Sequence, residues 1–367
     1  MNKKIAIAII AIVIVVVGVF AYLYLSPTIT LVGSGATFPY PLLSVMISHY
    51  AQETNVHVTY SSIGSGGGIA NLESKIVDFA ASDAPLGATD RAKAPGSLHI
   101  PETIGAVTVA YNVPGIPTGL NLTGKVIADI FAGNVTKWND AEIQNLNPTI
   151  TLPANNIITV HRSDGSGTTF IFTGYLSASS SAWNNSVGQG KSVNWPSPPG
   201  GIPPLAGNGN SGVALDVNDT QYTIGYVELA YALQNGFTVA AIQNPSSNWI
   251  LPTLNTIQKA VQSAAASTGL PAGNESWANV NLLNAPDPQA YPIVSFTYLL
   301  VYKELNVTSG MTHDRATALV KFLWWVVHDG QQYAPGLDYV QLPANVVQTD
   351  EATIQSITFN GQHLPTS

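Results

Sequence analysis

Cysteine is absent from this chain of 367 residues, and charge is scarce. The first absence excludes disulfides, thiolate metal sites, a cysteine nucleophile and a lipid-modified N-terminal cysteine. Charged residues make up 9% of the chain, where soluble proteins carry about 25%, so polar surface must come from Ser, Thr, Asn and Gln. Net charge is −8 and no stretch gathers Lys and Arg, which excludes a nucleic-acid partner on electrostatic grounds. Also missing are a G-x-S-x-G elbow, an H-E-x-x-H pair and any run of His and carboxylates with ligand spacing. No metal or cofactor is therefore expected.

A long hydrophobic run is present at the N-terminus. After MNKK, residues 5–25 read IAIAIIAIVIVVVGVFAYLYL without a charge. About 21 residues at roughly 1.5 Å each match the thickness of a bilayer core. Cleaved signals have a shorter apolar region of about 7–15 residues, so the length favours a retained anchor, with Val-Phe-Ala ending at Ala21 as a cleavage alternative. Lys3 and Lys4 hold the N-terminus in the cytoplasm, so residues 27–367 face outward in either case.

Past a linker at 26–30, strand-like and helix-like segments alternate. Strand-like LVGSG (31–35) precedes helix-like YPLLSVMISHYAQE (40–53), and VHVTYSSIG (56–64) precedes IANLESKI (69–76). VDFAASD (77–83), IGAVTVAYNV (104–113) and NIITVHR (156–162) read as further strands. This alternation predicts an α/β chain with open, largely parallel sheets. VNWPSPPGGIPPLAGNGNSG (193–212) reads as a long irregular loop, TIGYVELAYALQNG (223–236) as a strand entering a helix that Gly236 stops, and ATALVKFLWWVVHDG (316–330) as an amphipathic helix.

Three glycine–hydroxyl turns stand before helices. GSGATFPYP (33–41) carries Gly35, Thr37 and Phe38, with Pro39 in the first helical turn; IGSGGGIANL (63–72) carries Ser65 and three glycines; HRSDGSGTTF (161–170) carries Arg162, Asp164, Ser166, Gly167 and Thr168. The first N–H groups of a helix lack acceptors and its dipole leaves positive charge there; glycine lets backbone close around an oxyanion and hydroxyls add donors. Each turn alone also reads as an ordinary helix start. Aimed at one point, the three would hold a tetrahedral oxyanion with Arg162 as the one fixed cation.

ASDAP (81–85) ends a strand on Asp83, with no basic residue nearby. It reads either as a turn or N-cap aspartate, or as an acceptor inside an oxyanion site. In the second role it would accept a hydrogen bond from a protonated anion and repel a fully deprotonated one. Phosphate carries such a proton near neutral pH and sulfate does not.

In order, GATFPYP, IGSGGG, VDFAASDAPL and RSDGSGTTFIFTGYL resemble motifs of the substrate-binding proteins of phosphate ABC transporters (PstS-like), and GNGNSG (207–212), IGYVELAYALQNG (224–236) and LDYVQLPANVV (337–347) look like later landmarks of that family. The resemblance runs from about Leu31 to Val347. It implies a type II periplasmic-binding-protein-like fold of two α/β domains closing on phosphate, one formed by 31–103 with 295–367 and the other by 104–294; the N-terminal transmembrane helix expected at 5–25 departs from the family's usual export signal or lipidated cysteine. The implied phosphate ligands are Thr37, Phe38, Ser65 and Asp83 from one domain and Arg162, Ser166, Gly167 and Thr168 from the other, with Asp164 orienting Arg162. Implied partners are phosphate and a membrane permease, with the chain a monomer. Gly66 departs from the pattern, standing where a second serine is common.

Other readings compete. Sulfate, molybdate or tungstate would suit the turns but offer Asp83 no proton. A secreted phosphatase could recast Ser166 and Arg162 as nucleophile and clamp, without the partner motifs such enzymes need. A structural or adhesive surface protein has no use for the Arg162–Thr168 cluster.

Overall fold

The computed structural model describes residues 29–265 and 269–366. The apolar run 5–25 lies outside the described residues; among these, no helix is long and apolar enough to cross a membrane.

Strand β1 (Ile29–Gly35) leads through helix α1 (Tyr40–Glu53) to β2 (Val56–Ser62), then through α2 (Ser65–Glu73) to β3 (Phe79–Ser82) and the long β4 (Ser97–Asn112). Next come β5 (Ile158–Arg162), α3 (Gly167–Ser179), β6 (Leu205–Gly207), α4 (Gly209–Asp219) and β7 (Thr223–Glu228). The chain returns through β8 (Val294–Tyr302) to α5 (His313–Val327) and α6 (Ala344–Gln355). These strands order as β2-β1-β3-β8-β4-β7-β5-β6 in a nine-stranded sheet, whose ninth member, Thr238–Val239, pairs with β4.

The sheet is parallel within each half and antiparallel where the halves meet. β1 pairs parallel with β2 and β3, and β5 with β6 and β7. β4 pairs antiparallel with β8 along Ser97–Ala106 and then with β7 along Val107–Asn112. A strand that carries the chain out of the first half and another that brings it back must run in opposite directions, which is why the parallel rule stops here. Fifteen of the sixteen residues of β4 are buried, as expected of a strand covered on both faces. Its register against β8 slips once: Thr297 faces Thr103 and Tyr298 faces Pro101, so Glu102 is an extra residue forming a β-bulge.

Three local expectations are revised. Pro39 is the N-cap of α1, and Pro41 takes the first-turn position. α2 begins at Ser65, so its three glycines lie inside the first turn, after Gly64 at φ +84°. The loop expected over 193–212 is shorter, because β6 and the start of α4 occupy Leu205 onward. The FLWWVV segment of α5 is core as expected: Phe322, Leu323, Trp325, Val326 and Val327 are buried, and Trp325 Nε1 donates to Glu53 at 2.8 Å.

Several acids are buried. Asp350 on α6 has both carboxyl oxygens without a partner, and burial, then the charge of Glu351, pushes its pKa well up; burial does the same to Glu228. A carboxyl raised in this way keeps its proton where the unfolded chain has lost it. Its contribution is complete below the unfolded value near 4 and declines as pH rises toward the folded value. His99, lowered to about 4 by burial, acts oppositely, but only below its ordinary value of 6.5. From pH 6.5 to 8.5 the acids act alone. The melting temperature should fall by several degrees over that range when followed by circular dichroism, and Asp350→Asn should flatten the slope. An unchanged melting temperature in the wild type would contradict the assignment.

Candidate functional site

The three turns meet across the seam between the two sheet halves. β1 delivers Thr37 and Phe38 just ahead of α1, β2 delivers Ser65 at the start of α2, and β3 delivers Asp83. From the other half, β5 ends at Arg162 and α3 begins at Gly167, with Ser166 as its N-cap. Direct hydrogen bonds join the two sets. Gly167 N–H donates to Ser65 Oγ at 3.0 Å, and Gly66 N–H to the Gly165 carbonyl at 2.7 Å.

Gly167 lies against Asp83 so closely that a Cβ there would stand 2.5 Å from Asp83 Oδ2 and 2.6 Å from Ser65 Oγ. Only glycine permits this approach. The same closeness accounts for Gly66, where a Cβ would meet Gly165 Cα at 3.0 Å. The hydroxyl that a serine would bring is replaced here by backbone contact.

Hydrogen counting shows what these hydroxyls have left to give. A hydroxyl offers one hydrogen and two lone pairs. Thr37 Oγ1 accepts from Asn210 N at 3.1 Å and Asn210 Nδ2 at 2.8 Å. Thr168 Oγ1 accepts from Arg162 Nη1 at 3.3 Å and Asn210 Nδ2 at 3.1 Å. Both oxygens are thus saturated as acceptors, and each must point its hydrogen at some further acceptor. Ser65 Oγ is likewise filled, by the Gly167 and Asp83 N–H groups. The Thr37 and Phe38 N–H groups, ahead of α1, have no acceptor among the described residues. Buried donors without acceptors, set at helix N-termini, suit an anion.

Arg162 is the cation of the site. It is 3% exposed and bound in bidentate fashion by Asp164, with Nε to Oδ1 at 2.7 Å and Nη2 to Oδ2 at 2.5 Å. Asp164 also accepts from Gly209 N–H at 3.0 Å. Burial alone would raise the Asp164 carboxyl, but the bonds and charge of Arg162 hold it below its ordinary value. Asp83 is 1% exposed and accepts from Thr297 Oγ1 at 3.0 Å. Burial pushes its pKa up to about 7, against the opposing pulls of Thr297, Arg162 and Ser65. Burial thus works against the ionised form, and the donors and charge around Asp83 work for it.

Most of the expected residues converge: Thr37, Ser65, Asp83, Arg162, Asp164, Gly167 and Thr168 form one connected cluster. Phe38 takes part through its backbone, since its ring is fully buried and its carbonyl accepts from Tyr339 Oη at 2.7 Å. Ser166 makes no hydrogen bond to the cluster; its hydroxyl caps Thr169 N–H at 3.0 Å and its own N–H donates to the Lys191 carbonyl. His161 stacks on Trp195 at 4.9 Å, and its Nδ1 lies 2.9 Å from the Arg162 carbonyl. Among the described residues no group of three His, Cys, Asp or Glu is placed to share a metal ion.

Sequence reasoning missed Thr297, which donates to Asp83, and three further participants. Asn210, within GNGNSG, repeats the glycine–polar pattern of the other turns, so that α4 adds a fourth helix N-terminus to the cluster. Tyr231 Oη donates to the Thr37 carbonyl at 2.8 Å. Lys191 pairs with Asp90 at 2.7 Å across the seam, between residues too distant in sequence to be connected by pattern.

The PBP superfamily domain matches residues 25–329. A phosphate-binding protein PstS of Xylella fastidiosa is 41% identical over 326 residues, spanning 89% of this chain and 85% of that protein. A phosphate-binding protein PstS of Methanocaldococcus jannaschii is 40% identical over 332 residues, spanning 88% and 84%. Among solved structures, a high-affinity periplasmic phosphate-binding protein (PfluDING) bound with phosphate superposes with a TM-score of 0.68 at 20% identity, over 88% of this chain and 93% of that one. A phosphate-binding protein from Stenotrophomonas maltophilia gives 0.62 at 18% identity, over 90% and 94%. At such identities the structural likeness speaks for the fold alone.

The Asn210 bridge can be tested without a ligand. Its amide serves both threonine hydroxyls, and its Oδ1 accepts from Glu228 N–H at 3.0 Å. Asn210→Ala strands the buried Glu228 donor and should cost about 1–3 kcal/mol, read as a lower urea midpoint. A wild-type midpoint would show that the bridge carries no weight.

Proposed function

Because the chain belongs to the PBP superfamily and, within it, to the PstS phosphate-binding proteins, we propose that it captures inorganic phosphate outside the cytoplasm and delivers it to an ABC-transporter permease. It binds and releases its ligand without chemistry. Residues 31–103 with 295–367 form one lobe and residues 104–294 the other. The run 5–25 tethers the chain, a monomer, to the membrane.

Phosphate is held by Thr37, Phe38, Ser65 and Asp83 from the first lobe and by Arg162, Ser166, Gly167 and Thr168 from the second. Asp164 fixes the guanidinium plane and tempers its charge. The hydroxyls of Thr37 and Thr168 and the free N–H groups before α1 donate to phosphate oxygens. Charge-assisted bonds of this kind in a closed cleft are sufficient for micromolar binding, about −8 kcal/mol.

The observation that carries the phosphate reading is Asp83, a buried acceptor set among donors. An anion site of donors alone would hold sulfate as readily. With Asp83 ionised, an anion that offers a proton gains a hydrogen bond, and one that does not is left facing a buried charge. Molybdate and tungstate fail in the same way as sulfate.

Titration calorimetry at pH 7 should give micromolar or tighter phosphate binding and sulfate binding at least 100-fold weaker. Asp83→Asn should narrow that ratio tenfold or more. Sulfate binding as tightly as phosphate in the wild type would overturn the reading. Lobe closure has its own test in Gly167→Ala, whose added methyl must push Asp83 and Ser65 away. This variant should bind phosphate at least tenfold more weakly and lose any phosphate-induced decrease in radius of gyration by small-angle scattering. Unaltered affinity would mean that the approach of Gly167 to Asp83 is not part of binding.

A further inference from the structure

Behind Asp83, away from the helix N-termini, lies a second buried carboxyl. Thr297 Oγ1 is 3.0 Å from Asp83 Oδ1 and 3.3 Å from Glu102 Oε1. All three residues are 2% exposed or less. One hydroxyl hydrogen cannot serve two carboxylates. Were both ionised, one of the two contacts would set lone pair against lone pair in a dry interior. One carboxyl must therefore carry a proton.

The surroundings decide which. Asp83 has the Arg162 charge and the Ser65 hydroxyl to favour its ionised form, while Glu102 has only Thr297 and, facing it, the charge of Asp83. Burial and then the charge of Asp83 push the Glu102 pKa up to about 8. The other ionisable groups facing the pair are the Arg162–Asp164 ion pair and the hydroxyls of Tyr60, Tyr231 and Tyr339, which burial pushes up so that they stay neutral.

The backbone is built to put Glu102 there. It is the extra residue of the β4 bulge, opposite the step from Thr297 to Tyr298. Bulges of this kind re-aim one side chain next to a functional site. The Glu102 carbonyl accepts from Gln331 Nε2 at 2.8 Å, which holds the bulge in place.

We propose that Glu102 is a positioning residue for the anion site: its carboxylic acid donates to Thr297 Oγ1, commits the Thr297 hydrogen to Asp83, and so keeps Asp83 an ionised acceptor facing the ligand. The proposal rests on the phosphate reading. Loss of the Glu102 proton frees Thr297 from Asp83 and places a second negative charge behind the site, so phosphate binding weakens as pH rises through the Glu102 titration. Comparing variants at each pH removes the change in phosphate's own ionisation, which is common to all.

The test is calorimetric titration of phosphate into the full chain from pH 6.5 to 9.5, with Glu102→Gln and Thr297→Val. The glutamine amide donates to Thr297 as the acid does but cannot ionise. Its Kd should lie within about threefold of the wild type at pH 6.5, and the wild-type Kd should then rise relative to it, approaching tenfold per pH unit above pH 8. Titrations in two buffers of different ionisation enthalpy should show the wild type taking up more protons on binding at pH 9 than Glu102→Gln does. Thr297→Val should bind at least tenfold more weakly at pH 6.5 and lose the alkaline slope. A ratio of wild-type to Glu102→Gln affinity that stays constant across the range, whether near one or uniformly large, overturns the proposal and leaves Glu102 a packing residue. Should Glu102→Gln not fold, Thr297→Val decides alone: wild-type affinity and slope in that variant overturn it. Phosphate failing to bind the wild type at any pH would instead refute the phosphate reading.

Discussion

Burying Asp83 costs free energy, and the chain offsets that cost mainly with neutral donors. Thr297 donates to the carboxylate, Ser65 lies beside it, and the cation that acts on it among the described residues, Arg162, is already bound on two nitrogens by Asp164. The site therefore holds a carboxylate close to the point where four helix N-termini converge, without a free positive charge to neutralise it. An arrangement of this kind is favourable only while something brings a hydrogen to the carboxylate and accepts hydrogens from the surrounding hydroxyls. A tetrahedral anion that still carries a proton does both.

The fold exists to bring these groups together from two directions. β1, β2 and β3 end on the same side of their half of the sheet, and each delivers a turn or a carboxylate there. β5 and β6 do the same in the other half, followed by α3 and α4. β4 and β8 join the halves as antiparallel neighbours, and both also furnish polar groups behind the site, Glu102 from one and Thr297 from the other. If phosphate binds as proposed, these joining strands also shape the electrostatics of its pocket and link the backbone bulge to its specificity.

How much of this was legible in the sequence depended on how local the chemistry was. Thr37, Ser65 and the Arg162–Thr168 turn announced themselves because glycine and hydroxyl residues before a helix form a short pattern. Asp83 stood out as a carboxylate with no basic neighbour. Asn210 sat in a visible motif, yet its function depends on an amide reaching two threonines in other parts of the chain. Glu102 was hidden in a strand-like stretch, where only the register slip against β8 reveals that its side chain is re-aimed. Thr297 was lost in the apolar run of β8, and the Lys191–Asp90 pair depends on the approach of two distant segments. Parallel strands followed from the alternation of segments, whereas the antiparallel seam followed from the return of the chain, which no short window contains.

The central claim is that Asp83 accepts a proton-bearing oxygen of phosphate, with Glu102 holding the proton behind it. A crystal structure of the phosphate complex at a resolution that distinguishes C–O from C=O bond lengths tests both halves at once. The account predicts a phosphate oxygen about 2.5–2.7 Å from Asp83, the separation of an O–H···O⁻ hydrogen bond, with equal C–O lengths in Asp83 and unequal ones in Glu102. A phosphate bound away from Asp83, or unequal lengths in Asp83 with equal ones in Glu102, would contradict it.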